Sequence, residues 1–203
     1  LKEAGRLDQS GASYRHAIEL VPDYAEAHNN LGVTLKELGR LEEAEASFRQ
    51  AIALKSDYAE AYSNLGNTLQ ELGRLDEAKS NYGQAIKLKP GFADPHYNLG
   101  KALKELGRLE EAEASYSRAI AIRSDFMQAY FNLGNIQKEL GRLEEAKASY
   151  TLAISLNPEM ADAHNNLAIT LHELGRSDEA EASCRQAIEL NPGYAEAHSS
   201  LGS

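Results

Sequence analysis

The chain has 203 residues, 42% hydrophobic, 26% charged and 7% aromatic, with no Trp, a balance that suits a folded protein rather than a disordered one and leaves little material for a large β-sandwich. Its 31 acidic residues against 21 basic ones give a formal net charge of -10, which repels a polyanion and disfavours nucleic acid as a partner. No stretch nears the roughly 18 consecutive apolar residues of a membrane span, and one cysteine, Cys184, excludes a disulfide framework or a multi-thiol metal site and leads us to expect a reducing, cytoplasmic setting.

The organisation follows from an internal period. After an altered copy at Glu3-Ala4-Gly5-Arg6, the string Glu-Leu-Gly-Arg starts at Glu37, Glu71, Glu105, Glu139 and Glu173, each 34 residues after the last. Asn-Leu-Gly keeps step at Asn30, Asn64, Asn98 and Asn132, with Asn-Leu-Ala at Asn166, and so does a series of Pro22, Ser56, Pro90, Ser124, Pro158 and Pro192. The chain divides into a partial unit 1–24, whole units 25–58, 59–92, 93–126, 127–160 and 161–194, and a partial unit 195–203.

Each whole unit reads as two helices. From Ala25 to Leu38, residues His28, Leu31, Gly32, Leu35 and Leu38 recur on one face, and Gly39 ends the helix in the left-handed conformation that glycine accepts. Leu41 opens the second helix, with Glu42 and Glu43 at its positive end. Ala44, Phe48, Ala51, Ile52 and Leu54 form its apolar stripe. Asp23, Asp57 and Asp125 are placed to cap the following first helices. Gly32, Ala44 and Ala51, with their counterparts, allow close helix approach, and Phe48, Tyr82, Tyr116 or Tyr150 fills the gap.

This pattern resembles the tetratricopeptide repeat family along the whole chain, with His28, Tyr62, His96, Tyr130, His164 and His198 in place of the family's Trp. The resemblance implies an all-α, right-handed superhelical solenoid of antiparallel helix pairs. Departures gather late: Gln137 replaces a buried Leu, Ser177 the opening Leu and Cys184 the aromatic, and local loosening is expected there. The partial end units total one residue less than a whole unit. They point either to a fragment of a longer array or to head-to-tail self-association through open ends.

The resemblance also implies that the first helices line a groove for protein or peptide segments. Candidate binding residues are the ladder Asn30, Asn64, Asn98, Asn132 and Asn166, broken at Ser200, because an amide offers both donor and acceptor to a peptide backbone. The alternative is that each Asn bonds the neighbouring repeat. The ladder resembles that in the repeat region of O-linked N-acetylglucosamine transferases. Five hydrogen bonds at about 1 kcal/mol each cannot order a flexible peptide unaided, so apolar anchors are expected at Tyr97 and Phe131, where other units have Asn29, Ser63, Asn165 and Ser199. Lys101, Asn67 and Asn135 lie one turn further on. Glu26, Glu60, Asp94, Asp162 and Glu196 near this face disfavour acidic peptides and favour basic or neutral ones.

No catalytic arrangement, metal or cofactor is expected. The repeat-register histidines are too far apart to share a metal, the Glu pairs open second helices, and Cys184 takes a core position. A free-standing scaffold, a substrate-recruiting segment of a larger enzyme and a self-associating array remain as readings.

Overall fold

The computed structural model describes residues 2–193 and residue 195. They form eleven helices and, among the described residues, no strand: α1 (Lys2–Leu20), α2 (Ala25–Glu37), α3 (Leu41–Leu54), α4 (Ala59–Glu71), α5 (Leu75–Leu88), α6 (Ala93–Glu105), α7 (Leu109–Ile122), α8 (Met127–Glu139), α9 (Leu143–Leu156), α10 (Ala161–Glu173) and α11 (Ser177–Leu190). The helices gather into two compact units, Leu1–Leu106 and Gly107–Ser203. Within each, consecutive helices pack as antiparallel pairs, and successive first helices touch: α2 with α4, α4 with α6, and α8 with α10. The fold class read from the sequence, an all-α helical-pair solenoid, is the one observed.

The hairpin turns form as the glycines require. Gly39 has φ 73°, its N–H donates to the Lys36 carbonyl at 2.9 Å, and the Arg40 N–H donates to the Leu35 carbonyl at 2.9 Å, which satisfies carbonyls that the helix end would leave open. One copy departs. Gly5 lies inside α1 and makes no turn.

The aspartate caps are corrected too. The residues preceding α2, α4 and α8 are Tyr24, Tyr58 and Phe126, and no side chain bonds the first turn. The rings instead carry cations. Lys55 lies 4.7 Å from the Tyr58 ring centre, Lys89 4.8 Å from Phe92 and Arg123 3.5 Å from Phe126. Lys55 and Lys89 also reach back to Glu26 and Glu60 at 2.9 and 2.7 Å, so cation–π and ionic contacts together fix the entries into α4 and α6.

The core depends on absent methyl groups. A Cβ added at Gly32 would lie 2.7 Å from the Phe48 ring, at Gly66 2.6 Å from Tyr82, and at Gly134 2.7 Å from Tyr150. All three rings are fully buried. At the corresponding place in α10 the residue is Ala168, and its core neighbour is the small Cys184. The two departures noted separately in the sequence thus compensate each other. Gln137 is buried and accepts a hydrogen bond from Ser149 Oγ at 2.7 Å, so the polar group that replaces Leu has a partner.

Ionic clasps tie some hairpins together. Arg74 holds Glu77 of its own helix at 2.7 Å and Glu45 of the preceding repeat at 2.8 Å; Arg142 reaches Glu113 at 2.8 Å. Position 45 alternates in sign along the chain: Glu45, Lys79, Glu113, Lys147, Glu181. Lys147 pairs within its own helix with Glu144, and Arg176 with Glu179. Partial burial raises the Glu45 carboxyl, but hydrogen bonds from Arg49 and Arg74 outweigh it and hold the group below the usual carboxylate range.

Two outcomes are expected. Gly66→Ala destabilises the chain by about 1–3 kcal/mol in urea unfolding, although Gly-to-Ala in an open helix would stabilise it by about 1 kcal/mol; Cys184→Tyr destabilises similarly, and adding Ala168→Gly restores most of the loss. Glu45→Gln costs about 1 kcal/mol at neutral pH. Because the folded carboxyl titrates lower than the unfolded one, the clasp contributes fully above the ordinary glutamate range and is lost as pH falls through the lowered value. Unfolding curves of wild type and Glu45→Gln should therefore converge in acid.

Candidate functional site

The ladder asparagines sit on the face that successive first helices share within each unit, and three of their amides bond the repeat before. Asn64 Nδ2 donates to Asn29 Oδ1 at 3.0 Å, Asn98 Nδ2 to Asn67 Oδ1 at 2.8 Å, and Asn166 Nδ2 to Asn135 Oδ1 at 2.9 Å. One N–H of each thus ties its repeat to the one before, which is the neighbouring-repeat alternative raised by the sequence. Asn30 is exposed, and Asn132 is half-buried. Position 200, where the ladder is interrupted, and positions 196, 198 and 199 lie outside the described residues.

Asn67 and Asn135 are junctions as well as surface groups. Asn67 Oδ1 accepts the Tyr82 hydroxyl at 2.9 Å together with the Asn98 amide; Asn135 Oδ1 accepts Tyr150 at 2.8 Å together with Asn166. Burial pushes both phenols well above their ordinary pKa. In the first whole repeat the ring is Phe48, which has no hydroxyl, and the residue fifteen earlier is Val33, packed against the core. There the buried Asn29 replaces it as acceptor for Asn64. Cys184 likewise follows Ile169. This pairing of ring hydroxyl with a polar residue fifteen positions earlier was visible in the repeats and is the signal that sequence reasoning missed.

In the first unit these groups open onto a hollow of ≈ 410 Å³. Asn67, Asn98 and Lys101, all singled out from the sequence, line it; so do Lys36, Gln70, Glu71 and Glu105. Lys36 Nζ pairs with Glu71 at 2.8 Å. Gln70 accepts the Tyr82 hydroxyl at 3.0 Å and donates its Nε2 to Glu105. Lys101 is exposed and makes no ion pair among the described residues. In the second unit the corresponding charges are Lys138 and Glu173, 3.5 Å apart, and Ile169 stands in the place of Lys101.

The two rings expected as anchors are not in this hollow. Tyr97 is half-buried, and Phe131 is half-buried with its ring centre 6.0 Å from that of the core Tyr150. Their position in the other units is internal: Asn29, Ser63 and Asn165 are buried. His28 and His164 donate Nε2 to the carbonyls of Pro22 and Pro158 at 3.1 and 3.0 Å. Among the described residues no group of three or more His, Cys, Asp or Glu could hold a metal, and no helix is long and apolar enough to cross a membrane. Cys184 is buried, which raises its thiol.

Family comparison matches the described hairpins one after another: the TPR repeat pattern covers residues 1–39, 34–73, 66–107 and 100–141, and a tetratricopeptide repeat pattern covers 128–195. The chain belongs to the tetratricopeptide repeat family. Among solved structures it is similar to YrrB, described as a TPR protein with an unusual peptide-binding site, at 26% identity over 94% of this chain and 98% of that one, with a TM-score of 0.80. It shares its fold with PilF of Pseudomonas aeruginosa, at 21% identity over 97% and 90% of the two chains and a TM-score of 0.85. The fold is also that of MamA from Desulfovibrio magneticus RS-1, at 20% identity over 84% and 97% and a TM-score of 0.76. Comparison with curated proteins gives no match.

Tetratricopeptide repeat proteins mediate protein–protein interaction, and this chain has their architecture. Its amide junctions make a direct stability prediction. Asn67→Val leaves the Asn98 amide without its acceptor and the Tyr82 hydroxyl with Gln70 Oε1 alone, and costs about 1–3 kcal/mol. Adding Tyr82→Phe recovers part of that loss. A double-mutant cycle by urea unfolding reads the coupling.

Proposed function

We propose that this chain is a protein-interaction scaffold that takes an extended peptide segment of a partner along the face of its first helices. The observation that carries the reading is the hollow of ≈ 410 Å³ in the first unit, lined by polar side chains that keep hydrogen-bonding capacity after their internal bonds are made. The ladder residues Asn30, Asn64, Asn98, Asn132 and Asn166 supply carbonyl oxygens and N–H groups to the peptide backbone, with Asn67 and Asn135 beside them and Lys101 adding a charged donor. Tyr97 in the first unit and Phe131 in the second each contribute a ring edge within their own unit. The reading assigns the chain no enzymatic step and no cofactor, and places it in the cytoplasm.

The test begins with peptides selected from a displayed random library against the whole chain. Lys101→Glu should weaken a selected peptide about tenfold, the equivalent of about 1.4 kcal/mol, with no change in thermal unfolding, because Lys101 is exposed and makes no ion pair among the described residues. Tyr97→Ala with Phe131→Ala should weaken it further, and here the melting temperature falls as well, since Phe131 packs on Tyr150. Selection that yields no binder, or binders indifferent to Lys101 and to both rings, would remove the first-helix face as the site.

A further inference from the structure

We propose that the buried hydroxyl of Tyr82 is a specificity-determining group, which turns the hollow of the first unit into a receptor for carbonyl oxygens. The inference rests on the peptide-binding reading above and names the atoms that the hollow recognises.

The argument starts from a hydroxyl with one proton to give. Both nearby acceptors, Asn67 Oδ1 at 2.9 Å and Gln70 Oε1 at 3.0 Å, are amide oxygens. An amide whose oxygen points inward presents its N–H₂ end outward. For Asn67 the orientation is fixed twice, because the same oxygen accepts the Asn98 amide at 2.8 Å. The Asn67 N–H₂ group, without a partner among the described residues, therefore faces the hollow.

Gln70 extends the effect to the charges. With its oxygen held by Tyr82, its Nε2 donates to Glu105. Glu105 stands four residues after Lys101 on α6, the spacing at which a helical Lys and Glu ordinarily pair, and yet the two make no ion pair among the described residues. Lys36 meanwhile occupies Glu71 at 2.8 Å. The hydroxyl thus holds two donors open together, the Asn67 N–H₂ and the Lys101 ammonium, while the nearby carboxylates are engaged elsewhere. An acceptor-rich group, the main-chain carbonyls of an extended peptide, fits this arrangement better than a donor or a cation does.

The neighbouring repeats show which part is local. Tyr150 and Asn135 repeat the amide orientation in the second unit at 2.8 Å, but Ile169 replaces Lys101 and Lys138 replaces Gln70, so the charged donor is missing there. Phe48 shows that the fold accepts a ring without the hydroxyl at this position, which makes Tyr82→Phe a fair variant.

The experiment uses the full chain labelled with ¹⁵N, with side-chain amide signals assigned, and N,N-dimethylacetamide as a carbonyl probe that lacks N–H donors. In wild type we expect the Asn67 and Gln70 N–H₂ groups to be ordered and the Asn67 signal to move on titration. In Tyr82→Phe the Gln70 group should lose order and the Asn67 group, still held by Asn98, should lose part of it, and the probe response at Asn67 should fall about fivefold, within what one net hydrogen bond is worth. Tyr150→Phe should leave both unchanged. Tetramethylammonium, a probe with no acceptor, should move neither. An Asn67 N–H₂ group ordered equally in wild type and Tyr82→Phe would overturn the role of the hydroxyl. A carbonyl probe that leaves Asn67 unmoved in wild type would overturn the recognition of carbonyls. Either result stands apart from peptide selection, which alone decides whether the first-helix face binds a partner.

Discussion

The fold turns on a contact that leaves no room for a methyl group. Where the first helix of a pair carries glycine, the second carries a buried ring within about 2.6–2.7 Å of where a Cβ would sit. Close approach then lets the small Ala44, Ala78 and Ala146 reach complete burial in their own helices, and the hairpin closes over a core of few large side chains. Where the ring is Tyr82 or Tyr150, its hydroxyl also bonds a side chain on the first-helix face, so polar groups there are positioned from behind.

That dependence joins structure to recognition. A Tyr ring delivers a hydroxyl to the back of the first-helix face, and the hydroxyl needs an acceptor because burial without one costs free energy. The asparagine that satisfies it also receives the amide of the next repeat. Inter-repeat cohesion and core satisfaction are thus carried by the same side chains. Asn165 is fully buried, and neither of its amide atoms has a partner among the described residues.

The period of 34, the helix pairs and their glycine turns were legible in the sequence, because each depends on local chemistry: left-handed backbone at Gly39, apolar spacing, small residues opposite rings. That Asn67, Asn98 and Lys101 line one hollow was also within reach, since helical spacing puts Asn98 and Lys101 on one face of α6 and the 34-residue period puts Asn67 in register with Lys101. Other features were not. Asn64, Asn98 and Asn166 point one N–H at a preceding repeat, which spacing cannot reveal without knowing the helix crossing. Tyr97 and Phe131 stand where Asn29 and Ser63 are buried, and their half-burial was not readable from the contrast with smaller residues. Asp57 was read as a cap from residue type alone, and the ring of Tyr58 with Lys55 took that place.

The alternation of charge at position 45 gives the array a coarser grain than its 34-residue repeat. Hairpins joined through Arg74 and Glu45, or through Arg142 and Glu113, part less readily than α10 and α11 part from the rest, since Arg176 and Lys147 are each satisfied within their own helices. This least-clasped pair has Ser177 in place of an apolar residue at its entrance, and its core holds no ring. Local opening takes the lowest-cost route through a structure, and here that route passes over Cys184, the only thiol in the chain. The rate at which a thiol reagent labels that buried sulfur would clock the breathing of this hairpin, with no engineered label needed.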